Sequence, residues 1–398
     1  MQAQVGREEG KQTTPLTVHT GLPTWPKEVM TGAAGMFART YANYLETPEP
    51  FLFISYLTIL GHLISDSITI RSEINPQPRL YTALLGESAD TRKTTSMIKT
   101  TNFFYEVINP DEINPIYGVG SAEGLAKAFA KDSRAILILD ELKAVVQKMR
   151  IDGSVLLPCI CSLYESNQYH NHTKKTDIII DNAELCLLGA STLDTYRNMF
   201  TPQFLDIGFV NRLFIVIGDS QRKFSIPQPI PEKEKEPLRQ DLRDVLEFVK
   251  DLSNGGRYAM PITPEAMAMF DTWYFGLERS AFTKRLDAYG HRFMPLLAAN
   301  EMKPTITPEI TEKTVALLNY QLAARKYADP IDADNSIAKL EERIRRLLDN
   351  PRKKRDLEIH GHKSRVGIYI WKTAIKNLMD GGELKFDEKK KIYWLESE

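Results

Sequence analysis

Lys93, Thr94 and Thr95 end a loop that opens at Gly86, and a lysine beside hydroxyl side chains suits phosphate chemistry. In phosphate-binding loops, backbone N–H groups and a lysine hold the phosphates, while a Ser or Thr hydroxyl binds Mg²⁺. The usual pattern is Gly, four residues, Gly, Lys, then Ser or Thr. Here six residues separate Gly86 from Lys93, and Arg92 replaces the second glycine. The spacing predicts a nucleotide-binding loop of unusual geometry, although the loop alone is also compatible with a chance match.

The loop supplies most of the candidate ligands for ATP. Asp90 and Thr91 favour or tolerate tight turns, which compensates in part for the missing glycines. The candidate nucleotide ligands are Gly86, Ser88, Asp90, Thr91, Arg92, Lys93, Thr94, Thr95 and, from a later strand, Ser191.

Two carboxylates, Asp140 and Glu141, end the apolar run "ILILDE" further along the chain. An aspartate at the end of such a strand, together with Thr94, can hold Mg²⁺, and the following glutamate can orient the water that attacks the γ-phosphate. A buried strand that simply ends in exposed acids is the alternative. Because loop and acidic strand occur in the order that ATP-hydrolysing P-loop proteins use, we expect ATP and Mg²⁺ as cofactors and Lys93 and Glu141 as catalytic residues.

Two later polar residues fit the same chemistry. Ser191 ends the strand-like "LLGAST" and is a candidate contact to the γ-phosphate or the attacking water, or else part of a small-residue turn. Arg212 in "GFVNRLFIV" is a candidate arginine finger that stabilises the transition state in a neighbouring subunit. A finger that acts in trans implies a homo-oligomer, either a ring or a filament. A structural ion pair is the alternative role for Arg212.

The elements that must position these residues predict an α/β fold. Continuous apolar runs at 79–86, 134–141, 178–192 and 208–219 are typical of strands buried on both faces of a parallel sheet. A strand at 66–72 is expected to pair with the first of them. Helical patterns lie between the strands, and one of them is expected to begin at a Ser121 cap. We therefore expect a P-loop NTPase core with a parallel sheet flanked by helices.

Composition shifts divide the chain into four parts. We expect a disordered lead-in at 1–22, a P-loop core with amino-terminal helices at 23–225, a helical lid or linker region at 226–330, and a winged-helix-like domain at 336–398. The proline-rich, charged stretch 225–240 resembles a linker or an exposed crossing. The apolar stretch 51–64 is shorter than a bilayer requires, so a buried helix is expected and no membrane association.

The basic carboxyl-terminal part predicts contacts to nucleic acid. Two helices and a lysine-rich hairpin suggest a winged helix, whose recognition helix and wing contact DNA. A winged helix used for protein contacts is the alternative, and the lysine turn is equally compatible with a solvated surface. Two lysines at 174 and 175 fit a loop that faces the pore of a ring. The candidate nucleic-acid contacts are Lys174, Lys175, Arg365, Lys372, Lys376, Lys389 and Lys390.

Bulk composition limits the remaining choices. A net charge of −1 over 398 residues means that nucleic-acid affinity must come from local patches. Three cysteines are too few for a disulfide framework, which favours a reducing, cytoplasmic compartment. Histidines 170 and 172 beside cysteines 159 and 161 fit no established zinc spacing.

The ordered motifs resemble a known family. "LYTALLGESADTRKTTS", "GSAEGLAKAF", "ILILDE", "LYES", "LCLLGAST" and "GFVNRLFIV" are similar to a P-loop family of phage, plasmid and other mobile-element genes with helicase-like and primase-like members. The similarity covers roughly residues 25–220. Loops of the form G-P-P-G-S-R-K-S are frequent in that family, so Arg92-Lys93-Thr94 is a familiar variation, whereas "ESAD" replaces the usual Pro and Gly. "GFVNRLFIV" more distantly resembles the arginine-finger strand of AAA+ minichromosome-maintenance helicases.

Three functional hypotheses follow. The first is a nucleic-acid-associated ATPase, helicase-like or translocating, that serves a mobile element as an oligomer and acts on DNA. The second is a non-hydrolysing regulator in which ATP only orders a DNA-binding assembly. The third is a phosphotransferase, which is disfavoured because no acceptor-binding motif is apparent.

Overall fold

The computed structural model describes residues 22–87, 91–172, 177–200, 204, 207–219, 223–280, 282–328 and 336–396. The chain divides into two compact units, with the boundary at Asp332 and Ala333. The larger unit comprises residues 23–332 and the smaller one contains residues 333–398. No helix within the described residues is long and apolar enough to cross a membrane.

A five-stranded parallel sheet forms the centre of the larger unit. Its strands, in spatial order, are β3 (Pro115–Ile116), β4 (Arg134–Leu139), β7 (Glu184–Ser191), β2 (Tyr81–Leu85) and β8 (Phe214–Ile217). The three central strands are apolar and almost wholly buried, as expected for strands covered on both faces. Since all five strands run parallel, their carboxyl ends meet at one edge of the sheet. This edge is where the sequence placed the candidate chemistry.

Helices cover both faces of this sheet. They are α1 (Gly32–Tyr44), α2 (Glu49–Leu63), α3 (Lys93–Tyr105), α4 (Pro110–Ile113), α5 (Ala122–Phe129), α6 (Leu142–Met149), α7 (Leu156–Glu165) and α8 (Leu193–Met199). Successive residues of a strand point to opposite faces, and β2 shows the result. Thr82 contacts Thr58 of α2 at 2.9 Å, whereas the Tyr81 hydroxyl donates to the carbonyl of Ile160 in α7 at 3.0 Å. The apolar stretch 51–64 is thus a buried helix at the centre of the core.

The helical region that follows packs back onto the sheet. It contains α9 (Glu232–Ser253), α10 (Pro264–Gly276), α11 (Leu286–Asn300) and α12 (Pro308–Ala328). In α12 the Gln321 side chain accepts from the N–H of Ile215 at 2.9 Å and donates to the carbonyl of Leu213 at 3.0 Å. The Tyr320 hydroxyl accepts from the N–H of Ile217 at 2.8 Å. One helix therefore satisfies the backbone groups of β8 that face away from β2.

Three sequence expectations about these elements were wrong. Strand β1 (Ile68–Ile70) pairs with the distant strand β9 (Tyr258–Met260) and not with β2, both sides of which are occupied by β7 and β8. The stretch 178–192 is not one strand: Asn182, at φ 53°, separates β6 (Asp177–Ile180) from β7, and β6 pairs with β5 (Tyr169–His172) in a separate hairpin. The supposed linker 225–240 becomes helical from Glu232, where i, i+4 burial of Leu238 and Leu242 outweighs the local proline content.

The smaller unit has its own apolar core. Its elements are α13 (Ser336–Leu347), β10 (Arg352–Lys353), α14 (Lys354–His360), α15 (Lys363–Val366), α16 (Ile368–Asp380), β11 (Leu384–Asp387) and β12 (Ile392–Leu395). The strands form an antiparallel sheet in the order β10, β12, β11. Trp371 and Leu378 of α16 pack in this core with Leu340 of α13 and Tyr393 of β12. The hairpin β11–β12 is present as the sequence predicted.

Candidate nucleotide site

Three neighbouring strand ends define the candidate site. β7 lies between β2, which leads into the loop at Gly86, and β4, which leads to Asp140 and Glu141. Leu85 is paired with Ser191, and the N–H of Gly86 donates to the Ser191 carbonyl at 3.4 Å. The parallel register thus places the loop, the small polar strand end and the acidic strand end side by side.

The Lys93 ammonium folds back onto the loop. It donates to the carbonyls of Gly86 at 3.0 Å and Glu87 at 2.8 Å, and to the Thr91 hydroxyl at 3.1 Å. Burial lowers the pKa of Lys93, whereas the nearby carboxylates of Glu141 and Glu87 act in the opposite direction. The lysine is therefore at the position that the chemistry requires, with its donors occupied by oxygen atoms of the loop.

Thr91 packs against the inner side of the loop that begins at Gly86. Its side chain is buried, and its hydroxyl donates to the Glu87 carbonyl at 2.9 Å. A Cβ atom on Gly86 would lie 2.5 Å from the Thr91 hydroxyl oxygen, so only glycine allows this approach. The first glycine of the predicted loop therefore has a steric role, and Thr91 has a packing role that the sequence pattern did not specify.

Arg92 adopts the backbone conformation that usually belongs to glycine. Its φ is 50° and its ψ is 33°, in the left-handed region, and it precedes the first turn of α3. Its guanidinium donates to the carboxylate of Glu46 at 2.9 Å. The Phe224 N–H, the Arg92 guanidinium and the Lys223 N–H, in that order of effect, lower the pKa of Glu46 to about 2.

Glu141 stands at the acidic end of the site with Ser191 beside it. Its carboxylate accepts from the Lys143 N–H at 3.3 Å as the cap of α6. The buried Ser191 hydroxyl lies 3.5 Å from Glu141 Oε1. A carboxylate held by one backbone donor and one hydroxyl is pre-oriented, and its remaining acceptor positions are directed to solvent, where a water molecule can bind.

Two oxygen donors flank the loop for a divalent cation. Thr94 is exposed in the first turn of α3, and Asp140 is exposed directly after β4. Mg²⁺ prefers oxygen ligands and usually takes only one or two carboxylates, with phosphates and water completing the shell. The donor set therefore fits Mg²⁺ bound together with a triphosphate. Thr95 is half-buried in the same turn.

Arg212 lies at the opposite edge of the sheet from the loop. It ends a 3₁₀ turn just before β8, and the parallel pairing of Phe214 with Thr82 places it at the amino ends of the strands. The length of a strand, about 15 Å, separates that edge from the loop. The Arg212 side chain is 9% exposed and donates to the carbonyls of Ile207 and Gly208, both at 3.0 Å. Its Nε lies 3.4 Å from Glu165. It therefore cannot reach the Gly86–Lys93 loop of its own chain.

Comparisons with known proteins include a distant likeness among solved structures. No family model matches the chain, and no curated protein matches it. Among solved structures, a full-length MCM homolog from Methanopyrus kandleri is similar, with a TM-score of 0.43 and 14% identity. The similarity covers 75% of this chain and 61% of that one, so the chain spans about three fifths of its length. A likeness this distant supports no conclusion about activity or partners.

The candidate nucleic-acid contacts of the smaller unit lie on two elements. Lys372 and Lys376 are exposed one turn apart on α16. Lys389 and Lys390 are exposed in the β11–β12 turn, where their N–H groups donate to Asp387 at 2.8 and 3.0 Å. The backbone of the β11–β12 turn is therefore fixed by a carboxylate, and its lysine side chains extend to solvent.

Several predicted residues fall outside what the structure describes. Ser88, Asp90, Lys174 and Lys175 lie outside the described residues, as does the lead-in up to residue 21, and the side chain of Arg365 is not described. One residue was missed altogether. Glu46 contacts the loop from the connection between α1 and α2, and no local pattern marks it, because its partners lie far away in the sequence.

The cysteines and the histidine hairpin form no metal site. All three cysteines are buried and free, and burial raises the pKa of Cys159 to about 12 and that of Cys161 to about 11. His170 pairs with Asp181 at 2.7 Å and His172 with Asp177 at 3.2 Å. Among the described residues no group of three or more such side chains could hold a metal ion.

Proposed function

We propose that the chain is a nucleic-acid-associated ATPase that works as an oligomer, helicase-like or translocating, in the service of a mobile element. The observation that supports it most is the convergence of Lys93, Glu141 and Ser191 at the carboxyl edge of one parallel sheet. A lysine loop before a helix N-terminus binds phosphate, and an acidic residue two strands away can activate water. Phosphate binding alone would not require the carboxylate of Glu141.

Each residue then has a distinct role in hydrolysis. Lys93 leaves the loop carbonyls and binds the β- and γ-phosphates, while the N–H groups of the first turn of α3 bind phosphate oxygens. Glu141 orients and polarises the attacking water, and Ser191 holds its carboxylate in place. Thr94 and Asp140 would hold Mg²⁺, which when bound neutralises charge on the phosphates.

Arg212 acts, in this proposal, on the nucleotide of a neighbouring subunit. Its position at the amino edge, away from its own loop, is compatible with a role in trans, and its contacts with Glu165 are equally compatible with a structural ion pair. In that role its guanidinium exchanges the carbonyls of Ile207 and Gly208, and Glu165, for the neighbour's γ-phosphate. Mixing two variant proteins tests this part. Arg212→Ala and Lys93→Ala should each be inactive alone, and hydrolysis should be recovered when they are mixed. The recovery is expected because some subunit interfaces then combine an intact Lys93 with an intact Arg212.

The smaller unit supplies the DNA contacts in this proposal. Its order of one helix, one strand, three helices and a hairpin, together with its three-stranded sheet, supports a winged helix, with α16 as the recognition helix and the β11–β12 turn as the wing. Lys372, Lys376, Lys389 and Lys390 would contact phosphates. If the smaller unit instead contacts proteins, the whole chain should still hydrolyse ATP but should show no salt-dependent DNA binding.

ATP hydrolysis, measured with and without single-stranded DNA, tests the function. We expect turnover by the wild type and a loss of about a hundredfold or more in Glu141→Gln, which keeps the shape of the side chain but removes the base. Lys93→Ala should lose nucleotide binding as well as turnover. Equal, near-zero rates for all three proteins would refute the enzymatic function.

A second candidate function is a non-hydrolysing regulator in which ATP orders the assembly. The altered loop favours it, since Arg92 stands where the usual loop has glycine and the Lys93 ammonium contacts oxygen atoms of the loop. It predicts nucleotide-dependent assembly and DNA binding that are the same in the wild type and in Glu141→Gln, without turnover in either.

A further inference from the structure

The residue before Lys93 has an unfavourable backbone conformation for its type. Arg92 is at φ 50°, where side chains with a Cβ atom are disfavoured and where the usual phosphate-binding loop has glycine. The Arg92 carbonyl accepts the first hydrogen bond of α3, from the N–H of Ser96 at 3.0 Å. The conformation of this one residue therefore sets the direction in which α3, with Lys93 and Thr94, leaves the loop.

Glu46 holds the far end of the Arg92 side chain. Its two carboxylate oxygens have separate partners: Oε2 accepts from Arg92 at 2.9 Å, and Oε1 accepts from the N–H groups of Lys223 and Phe224 at 2.8 and 2.9 Å. The Glu46 side chain is 7% exposed, whereas that of Arg92 is 50% exposed. The carboxylate is thus a fixed, buried anchor, and the arginine is the more mobile partner that the anchor restrains.

The anchor joins three separate segments. Glu46 belongs to the connection between α1 and α2, Arg92 to the phosphate-binding loop, and Lys223 and Phe224 to the chain that follows β8. A charge-assisted hydrogen bond between a buried carboxylate and a guanidinium is among the stronger polar contacts in proteins. It is therefore strong enough to offset the cost of one left-handed residue that is not glycine.

We propose that Glu46 is a positioning residue of the nucleotide site: through Arg92, its carboxylate holds the left-handed residue before Lys93 that a glycine provides in the usual loop. This inference rests on the proposed nucleotide binding by Lys93. The ion pair between Glu46 and Arg92 takes the place of the backbone freedom that a glycine would have at position 92, so the shape of the loop depends on a residue 46 positions away.

The Glu46→Gln substitution separates the two functions of the carboxylate. A glutamine keeps one oxygen to accept from Lys223 and Phe224 but presents an amide NH₂, a donor, to the Arg92 guanidinium. We expect binding of a non-hydrolysable ATP analogue to weaken by roughly tenfold, the size that the cost of a left-handed non-glycine residue implies. Melting temperatures of both proteins, measured without nucleotide, show whether the fold itself has changed.

A double-mutant cycle with Arg92→Gly makes the test specific. In the R92G background, Glu46→Gln should change affinity by less than about twofold, because a glycine adopts the left-handed conformation without an ion pair. An equal loss in both backgrounds would show that Glu46 acts only through the fold, and no loss in either would also overturn the proposal. A complete loss of binding in the single variant R92G would also overturn the proposal, since that result would show that the guanidinium itself contacts the nucleotide.

A matched pair at position 92 leaves Glu46 intact and covers the case in which Glu46→Gln does not fold. Arg92→Gly should bind the analogue roughly tenfold more tightly than Arg92→Ala, because the left-handed backbone conformation is unfavourable for alanine but not for glycine. Equal affinities for the two would refute the proposal. Lys93→Ala in the same assay reports on nucleotide binding itself: a wild type that binds no better than Lys93→Ala refutes the proposed function, and the positioning role with it.

Discussion

Acidification should destabilise the larger unit through a single histidine in its core. His62 of α2 is fully buried, and its Nε2 lies 2.8 Å from the carbonyl of Ile113, so the neutral ring donates from that atom. Its Nδ1 has no hydrogen-bond partner among the described residues. Burial, with smaller contributions from Arg134 and Arg79, lowers the pKa of His62 from 6.5 to about 4, against the opposing effects of the Ile113 carbonyl and Asp132.

The sign and the size of the effect follow from linkage. Because the pKa is lower in the folded state, the unfolded chain binds the proton first, so stability is fully present above pH 6.5 and falls as the pH falls towards 4. The difference between 6.5 and about 4, at about 1.36 kcal/mol for each pKa unit, gives a total loss of about 3 kcal/mol. About 2 kcal/mol of it is lost by pH 5.

Urea unfolding of the wild type and of His62→Gln, at about pH 7.5 and about pH 5, measures this loss. The glutamine keeps a donor for the Ile113 carbonyl but does not titrate, so other groups that respond to pH affect both proteins alike. We expect the wild type to lose about 2 kcal/mol more than the variant between the two pH values. Equal losses, or a His62 ring that titrates near pH 6.5 in ¹³C-edited NMR spectra, would refute the reasoning.

Three further substitutions test the site and the smaller unit. Gly86→Ala should weaken ATP binding by about tenfold or more through its clash with Thr91, and the added Thr91→Gly change should restore part of it; no rescue would contradict the steric role. Ser191→Ala should lower kcat by about tenfold with little change in the KM for ATP, because it removes a hydroxyl that orients Glu141; an effect on KM alone would point to ground-state binding instead. Lys376→Ala should weaken DNA binding similarly for all DNA sequences and reduce the salt slope by about one, as titrations at several salt concentrations would show; an unchanged slope would exclude a phosphate contact.

Local patterns predicted the elements whose stability is local or whose burial is complete. The apolar run of β4 was recognised because a strand covered on both faces has no alternation, and Ser121 was recognised as the cap of α5, where it accepts from the N–H of Gly124 at 3.2 Å. The residues of the loop, Asp140, Glu141 and Ser191 could be grouped because parallel strands bring their carboxyl ends together.

Long-range pairing explains what the sequence did not predict. The partner of β1 lies in β9, on the other side of the whole sheet region in the sequence, and no local signal distinguishes it from β2. The helix from Glu232 begins within a proline-rich stretch because the acidic residues of its first turn favour a helix start and tertiary burial extends it. The role of Glu46 was not predicted for the same reason as the pairing of β1, since the three partners of Glu46 are all distant in the chain.

The hydrogen bonds from α12 to β8 have a consequence for association. An open sheet edge is a template on which another chain can add a strand, and here Gln321 and Tyr320 bond the carbonyl of Leu213 and the N–H groups of Ile215 and Ile217. The opposite edge strand, Pro115–Ile116, has only two residues, one of them a proline without an N–H group. Neither border of the sheet offers a length of backbone that a second copy could extend. Addition of a strand at either border of this five-stranded sheet is therefore blocked, and Gln321→Ala, which frees the N–H of Ile215 and the carbonyl of Leu213, should increase aggregation as measured by light scattering.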